Sequence, residues 1–305
     1  MKERIGNKIK TLRTEKLMTQ SELAGDKITR SMLSLIEHGN SEPSLSSLAY
    51  LAERLHVSPA YLLSDASEEE MYRREAKIRD VRIAYAAKEY RICLDLCRET
   101  ALPEDDELNL LSAECAIGLA IETVEAGNLH GVTEFLDSAV SYAEKTRYNA
   151  SHVYAEAAVL FGYLLRFSEN FYSDADDAAS ERGIPRTAAT GNPFCAYALL
   201  LSELEDTDDV ERFRAGSDAA LSALRISAPL LALHIEECLL MKEKRLAEAL
   251  PVMDAITDMG EKVPVPILYE LFRDREVCAL ETGDYKGAYE SAGAKHEFLS
   301  RILSE

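Results

Sequence analysis

Apolar residues recur at Ile5, Ile9 and Leu12, a spacing that predicts a short amphipathic helix over 3–16 with a basic outer face. Thr19-Gln20-Ser21-Glu22 reads as a capping box: Thr19 can accept from a first-turn amide while Glu22 reaches back to the Thr19 amide. Gly25 and Asp26 end that helix early, and a turn through Lys27 and Ile28 leads to Thr29, a second N-cap. A helix over 30–37 follows, with Leu33 and Ile36 inward and Gly39 as its stop. Ser44 opens a fourth helix whose Leu45, Leu48, Ala52 and Leu55 fall at helical spacing. Ser58 followed by Pro59 opens a fifth through Tyr61, Leu62 and Leu63.

Further along, segments 64–67 read as a short linker, and Ser67 with Glu70 as another capping box. A weak repeat then marks the rest of the chain. A Tyr, Leu or Val is followed three residues on by a small or apolar residue at Tyr90/Cys93, Leu129/Val132, Leu246/Ala249 and Tyr285/Ala288, with fainter copies at Tyr172/Ala175 and Val210/Phe213. The marks are 36 to 43 residues apart, which predicts stacked helix pairs forming a right-handed solenoid with a concave inner face. An irregular helical domain is the competing reading. A groove lined by Tyr, Asn and acidic side chains favours ligand binding, and an uncharged stripe favours the irregular domain.

Composition agrees with a folded, all-α chain: only 14 Gly and 9 Pro in 305 residues, with 47% apolar residues. The length suggests two parts, placed at 1–64 and 68–305. The apolar runs at 196–201 and 228–233 are too short for a membrane helix, and the charged start is no secretory signal, so a cytoplasmic protein with no membrane partner is expected. Net charge is −20, but residues 1–64 carry +2 and the remainder −22. Six basic side chains (Lys2, Arg4, Lys8, Lys10, Arg13, Lys16) crowd the first sixteen residues. Only this end is suited to a polyanion, and the acidic remainder favours a basic or neutral ligand.

The ordered signature Leu12-Arg13, Thr19-Gln20-x-x-Leu23-Ala24, Ile36-Glu37-x-Gly39, Pro43 and Leu55-x-Val57-Ser58-x-x-x-Leu62-Leu63 closely resembles the phage-repressor-like (Xre/Cro-type) helix-turn-helix family over about residues 4–64. The resemblance implies a five-helix, lambda-repressor-like domain that binds double-stranded DNA, with 29–37 as the recognition helix in the major groove. Thr29, Arg30, Ser31, Ser34 and Leu35 then face the groove, Arg30 being suited to a bidentate contact with guanine. Gln20 matches a position used on phosphate or an outer base, and Asn40, Ser41 and Ser44 lie in the loop that meets phosphate. Arg13 and Glu37 match a structural ion pair of the family. Recognition-helix basicity is thin, so one copy binds weakly and a homodimer is expected.

The stretch 279–290 is similar to a tetratricopeptide repeat. Such a domain behind an Xre-type head resembles the Rgg/Rap/NprR/PlcR/PrgX regulators of quorum sensing, which implies a dimerising solenoid of tetratricopeptide-like pairs whose ligand changes how the DNA heads are presented. A short peptide is the implied ligand, and Asn109, Asn149 and Asn192 are its proposed contacts because amides both donate and accept. Each also fits a cap or loop role. The alternative is a regulator or adaptor whose repeats dock a partner protein such as a toxin.

An enzyme is not expected. Phosphate-loop, dinucleotide, zincin and nucleophile-elbow motifs are missing from the sequence. The six histidines look scattered, and Asp174, Asp176 and Asp177 lack the Gly and distal Glu of a calcium loop. The six cysteines form no C-x-x-C pair and read as small core residues in a reducing compartment. No metal or cofactor is expected.

Overall fold

The structure, a computed structural model, describes residues 2–64, 66–99, 105–189 and 191–302. The chain divides into two compact units, 1–79 and 80–305. The described residues are helical throughout, without strands. The side chains of Ser67 and Glu70, expected to form a capping box, lie outside the described residues, as do those of Lys2 and Arg4.

The first unit holds α1 (Lys2–Glu15), α2 (Gln20–Ala24), α3 (Arg30–Glu37), α4 (Leu45–Arg54) and α5 (Pro59–Leu63). Their ends are set by the predicted residues. The Thr19 hydroxyl accepts from the Glu22 amide, and Glu22 accepts from the Thr19 amide. The hydroxyls of Thr29, Ser44 and Ser58 cap the next three helices by accepting from the amides of Met32, Ser47 and Tyr61. Gly39, at φ +71°, takes the left-handed position that closes α3. Ile5, Ile9, Leu23, Leu33, Ile36, Leu48, Leu51, Ala52, Leu55 and Leu62 form its core. Leu45, though at helical spacing with Leu48, Ala52 and Leu55, is 79% exposed as the first residue after the Ser44 cap, while Leu51 is buried. Gly6 lets α1 touch α3, since a Cβ there would lie 2.0 Å from the Ile36 carbonyl oxygen.

Helix α6 (Ala66–Ala86) contains the division between the units. It is followed by α7 (Tyr90–Glu99), α8 (Asp106–Glu125), α9 (Val132–Ala143), α10 (Ser151–Leu164), α11 (Ala175–Glu181) and α12 (Pro193–Asp206). Then come α13 (Val210–Ser227), α14 (Pro229–Lys242), α15 (Leu246–Thr257), α16 (Val265–Thr282) and α17 (Tyr285–Ile302). These helices pack mainly on their sequence neighbours, as expected for repeated pairs. The repeat marks fall at or just before the second helix of each pair. The residue three positions on is the packed one: Cys93, Val132, Ala175, Phe213, Ala249 and Ala288 are all buried. The large residue at the mark does not pack in every copy, for Tyr172 and Tyr285 are 81% and 77% exposed. The last pair also returns to earlier ones. The turn at Gly127 lies against Val265, and Arg166 Nη2 donates to Glu270 Oε1 at 2.5 Å.

Candidate nucleic-acid interface and repeat-domain groove

The start of α3 is an open surface held by a buried polar lock. Glu37 is 2% exposed; Arg13 donates to it from Nε (2.6 Å) and Nη2 (3.1 Å), and Gln20 Nε2 adds a third bond at 2.8 Å. Burial alone pushes a carboxyl up, but the bonds from Arg13 and Gln20 overcome it and hold Glu37 below the usual carboxylate range. Arg13 Nη1 also donates to the Met18 carbonyl. The lock therefore ties α1, the turn before α2, α2 itself and the end of α3 together. It is the ion pair that the family resemblance implied.

The lock leaves the other face of α3 to solvent. Thr29, Arg30, Ser31 and Leu35 are exposed and Ser34 is half-buried. Arg30 makes no hydrogen bond or ion pair among the described residues, so its guanidinium is available to an outside acceptor. The Thr29 hydroxyl is engaged by the Met32 amide, and the Ser44 hydroxyl by the Ser47 amide. Asn40 is exposed, its backbone amide tied to the Leu35 carbonyl. Gln20 is half-buried with its amide nitrogen on Glu37, which fixes its orientation.

Lys8 departs from the basic outer face expected of α1. It is 8% exposed, and its ammonium donates to the carbonyls of Tyr61 and Ser64 and to the Ser64 hydroxyl at 2.9–3.0 Å. It satisfies the open carbonyls at the end of α5, a partner too distant in sequence for helical periodicity to reveal. Lys10 is exposed. Lys8→Ala should therefore lower stability by about 1–3 kcal/mol through its lost buried bonds. Lys10→Ala should weaken all duplexes alike and reduce the salt slope by about 0.9. Denaturant melts beside anisotropy titrations across salt concentrations separate the two.

In the second unit, the three Asn side chains expected at a ligand have local partners. Asn109 is buried, with Nδ2 3.5 Å from the Lys145 carbonyl. Asn149 accepts from the amide and hydroxyl of Ser151, and Asn192 caps α12 through the Phe194 amide. Of the three, Asn149 lines a groove of about 660 Å³ with Glu144, Tyr148, Tyr154 and Arg182.

The first helices of the later pairs also bring together polar side chains that the sequence reading left scattered. Tyr163, Tyr197, His234 and Glu270 are almost wholly buried on α10, α12, α14 and α16. The Tyr197 hydroxyl and His234 Nδ1 are 2.8 Å apart. Burial pushes His234 down to about 3, so its ring is neutral near pH 7. His234, Glu237 and Cys238 stand at i, i+3 and i+4, a one-face helical spacing that inspection for paired histidines alone overlooks.

Residues 9–62 match the family model described as helix-turn-helix, so the Xre-type domain expected at the amino terminus is present. Among curated proteins none matches. Among solved structures, the chain is similar to ComR from S. thermophilus in complex with DNA and its signalling peptide ComS, at 19% identity over 96% of this chain and 99% of that one, TM-score 0.32. It is similar to Bacillus thuringiensis PlcR in complex with the peptide PapR7 and DNA, at 14% identity over 99% and 100% of the two chains, TM-score 0.22. A third is the Streptococcus dysgalactiae SHP pheromone receptor Rgg2, at 15% identity over 85% and 94%, TM-score 0.22. Among the described residues no helix is long and apolar enough to cross a membrane.

Proposed function

We propose that the protein is a sequence-specific, DNA-binding transcription regulator that acts as a homodimer and whose repeat domain receives a short peptide. The observation that carries the DNA reading is the exposed, unengaged Arg30 at the first turn of a helix whose opposite face is locked by Arg13, Gln20 and Glu37. Arg30 reads guanine, Thr29, Ser31 and Ser34 contact neighbouring base edges, and Leu35 meets a thymine methyl group. Gln20, Asn40 and Ser44 set the register on phosphate. Two heads read half-sites about 34 Å apart.

The groove around Asn149 supports the peptide reading, because Tyr148 offers an exposed aromatic face while Asn149 and the paired Glu144 and Arg182 offer polar ends. Asn192 contributes by capping α12 and Asn109 by reaching from α8 to the Lys145 carbonyl. Peptide binding changes duplex affinity by about 5–150-fold, the ordinary range of coupling between sites. The test titrates the full chain with a selected duplex in the presence and absence of a synthetic library of short peptides. A member that shifts duplex affinity and raises the melting temperature supports the reading. Unchanged affinity and melting across the library contradict it and favour a protein partner for the repeats.

A further inference from the structure

We propose that His234, Glu237 and Cys238, joined by Glu270 from the neighbouring α16, form a binding site for a divalent transition metal such as zinc. The three residues on α14 bring an imidazole nitrogen, a carboxylate oxygen and a sulfur within 4.8 Å of one another. Cys238 Sγ lies 3.7 Å from His234 Nε2 and 3.5 Å from Glu237 Oε2. His234 Nε2 lies 3.8 Å from Glu237 Oε2 and 3.6 Å from Glu270 Oε2. A tetrahedral ion with ordinary zinc–nitrogen, zinc–oxygen and zinc–sulfur bonds has edges of about 3.4–3.6 Å. Small side-chain movements bring these atoms onto such an ion.

A second, independent observation points the same way. Glu270 Oε2, the oxygen that faces His234, is buried without a hydrogen-bond partner among the described residues, although its side chain is only 2% exposed. A buried carboxylate oxygen left unsatisfied is costly, and a cation bound to it removes that cost. The surroundings also suit a ligand histidine. With a metal on His234 Nε2, the ring proton sits on Nδ1 and donates to the Tyr197 hydroxyl 2.8 Å away, fixing the ring. Arg166 occupies the other oxygen of Glu270, leaving Oε2 directed toward His234. Mixed nitrogen, sulfur and carboxylate ligands select zinc, cobalt or their neighbours over magnesium and calcium. Bound there, the ion ties α14 to α16.

The experiment strips the full-length protein with a chelator and titrates it with cobalt(II), recording the absorption spectrum. The expected result is one equivalent bound with a sulfur-to-cobalt charge-transfer band and the intense visible bands of a tetrahedral ion, displaced by zinc. Cys238→Ser should remove the sulfur band and weaken binding by at least about 100-fold, while Tyr197→Phe should weaken it about 10–100-fold and keep the band. Binding without a sulfur band, no stoichiometric binding, or a Cys238→Ser protein that retains the band overturns the proposal. Should Cys238→Ser fail to fold by circular dichroism, the wild-type spectrum still decides.

Discussion

Arg13→Ala should destabilise the amino-terminal helices by about 3–5 kcal/mol, because it leaves Glu37 as a buried charge with one remaining neutral partner. The Glu37 side chain is 0% exposed, and Arg13 supplies two of the three hydrogen bonds described above as well as the bond to the Met18 carbonyl. Hydrogen–deuterium exchange of the amides of 29–37 is the suitable probe, since the chain has no Trp to report on this unit. Those amides should lose most of their protection in the variant, while the second unit keeps its own. Replacing both partners by apolar residues should recover much of the loss, as the cost lies in the orphaned charge. The pH dependence has a definite sign. Glu37 titrates below the ordinary carboxylate range when folded. Its contribution is therefore complete above the unfolded carboxylate pKa and disappears as pH falls through the lower, folded value.

Arg30→Ala should cost about 1–3 kcal/mol, or about 5–150-fold, in affinity for a selected duplex, and should relax base preference at one position of each half-site. The change should leave the fold intact, because Arg30 is exposed and has no partner among the described residues to lose. Affinity for unrelated duplexes should fall much less, by the loss of one cation near the phosphates. Selection from a randomised duplex pool with the wild-type and variant proteins reads both effects. Unchanged selectivity in the variant would place the reading surface elsewhere.

Much of the fold was legible in the sequence because its signals are local. Thr19, Thr29, Ser44 and Ser58 sit within three residues of the amides they cap, and Gly39 stands where α3 must turn. The repeat marks worked for a related reason: Val132, Ala175, Ala249 and Ala288 must be small or branched enough to pack at each helix crossing, whatever surrounds them. What escaped depends on contacts distant in sequence. Lys8 is a phosphate-facing cation by helical periodicity, and only the end of α5, more than fifty residues away, makes it structural. Asn149 and Asn192 carry the same local signal for a turn or cap as for a ligand contact, and a turn at Ser151 and the cap of α12 are what the structure displays. The approach of Glu270 to His234 joins α16 to α14, and no spacing within one helix announces it.

The most direct test of the central claim asks which atoms of DNA the first turn of α3 touches. Dimethyl sulfate probing of a selected duplex should show one guanine N7 per half-site protected by the wild-type protein and reactive again with Arg30→Ala at saturating concentration. Protection that persists in the variant, or a wild-type protein that binds no duplex even at low ionic strength, contradicts the account.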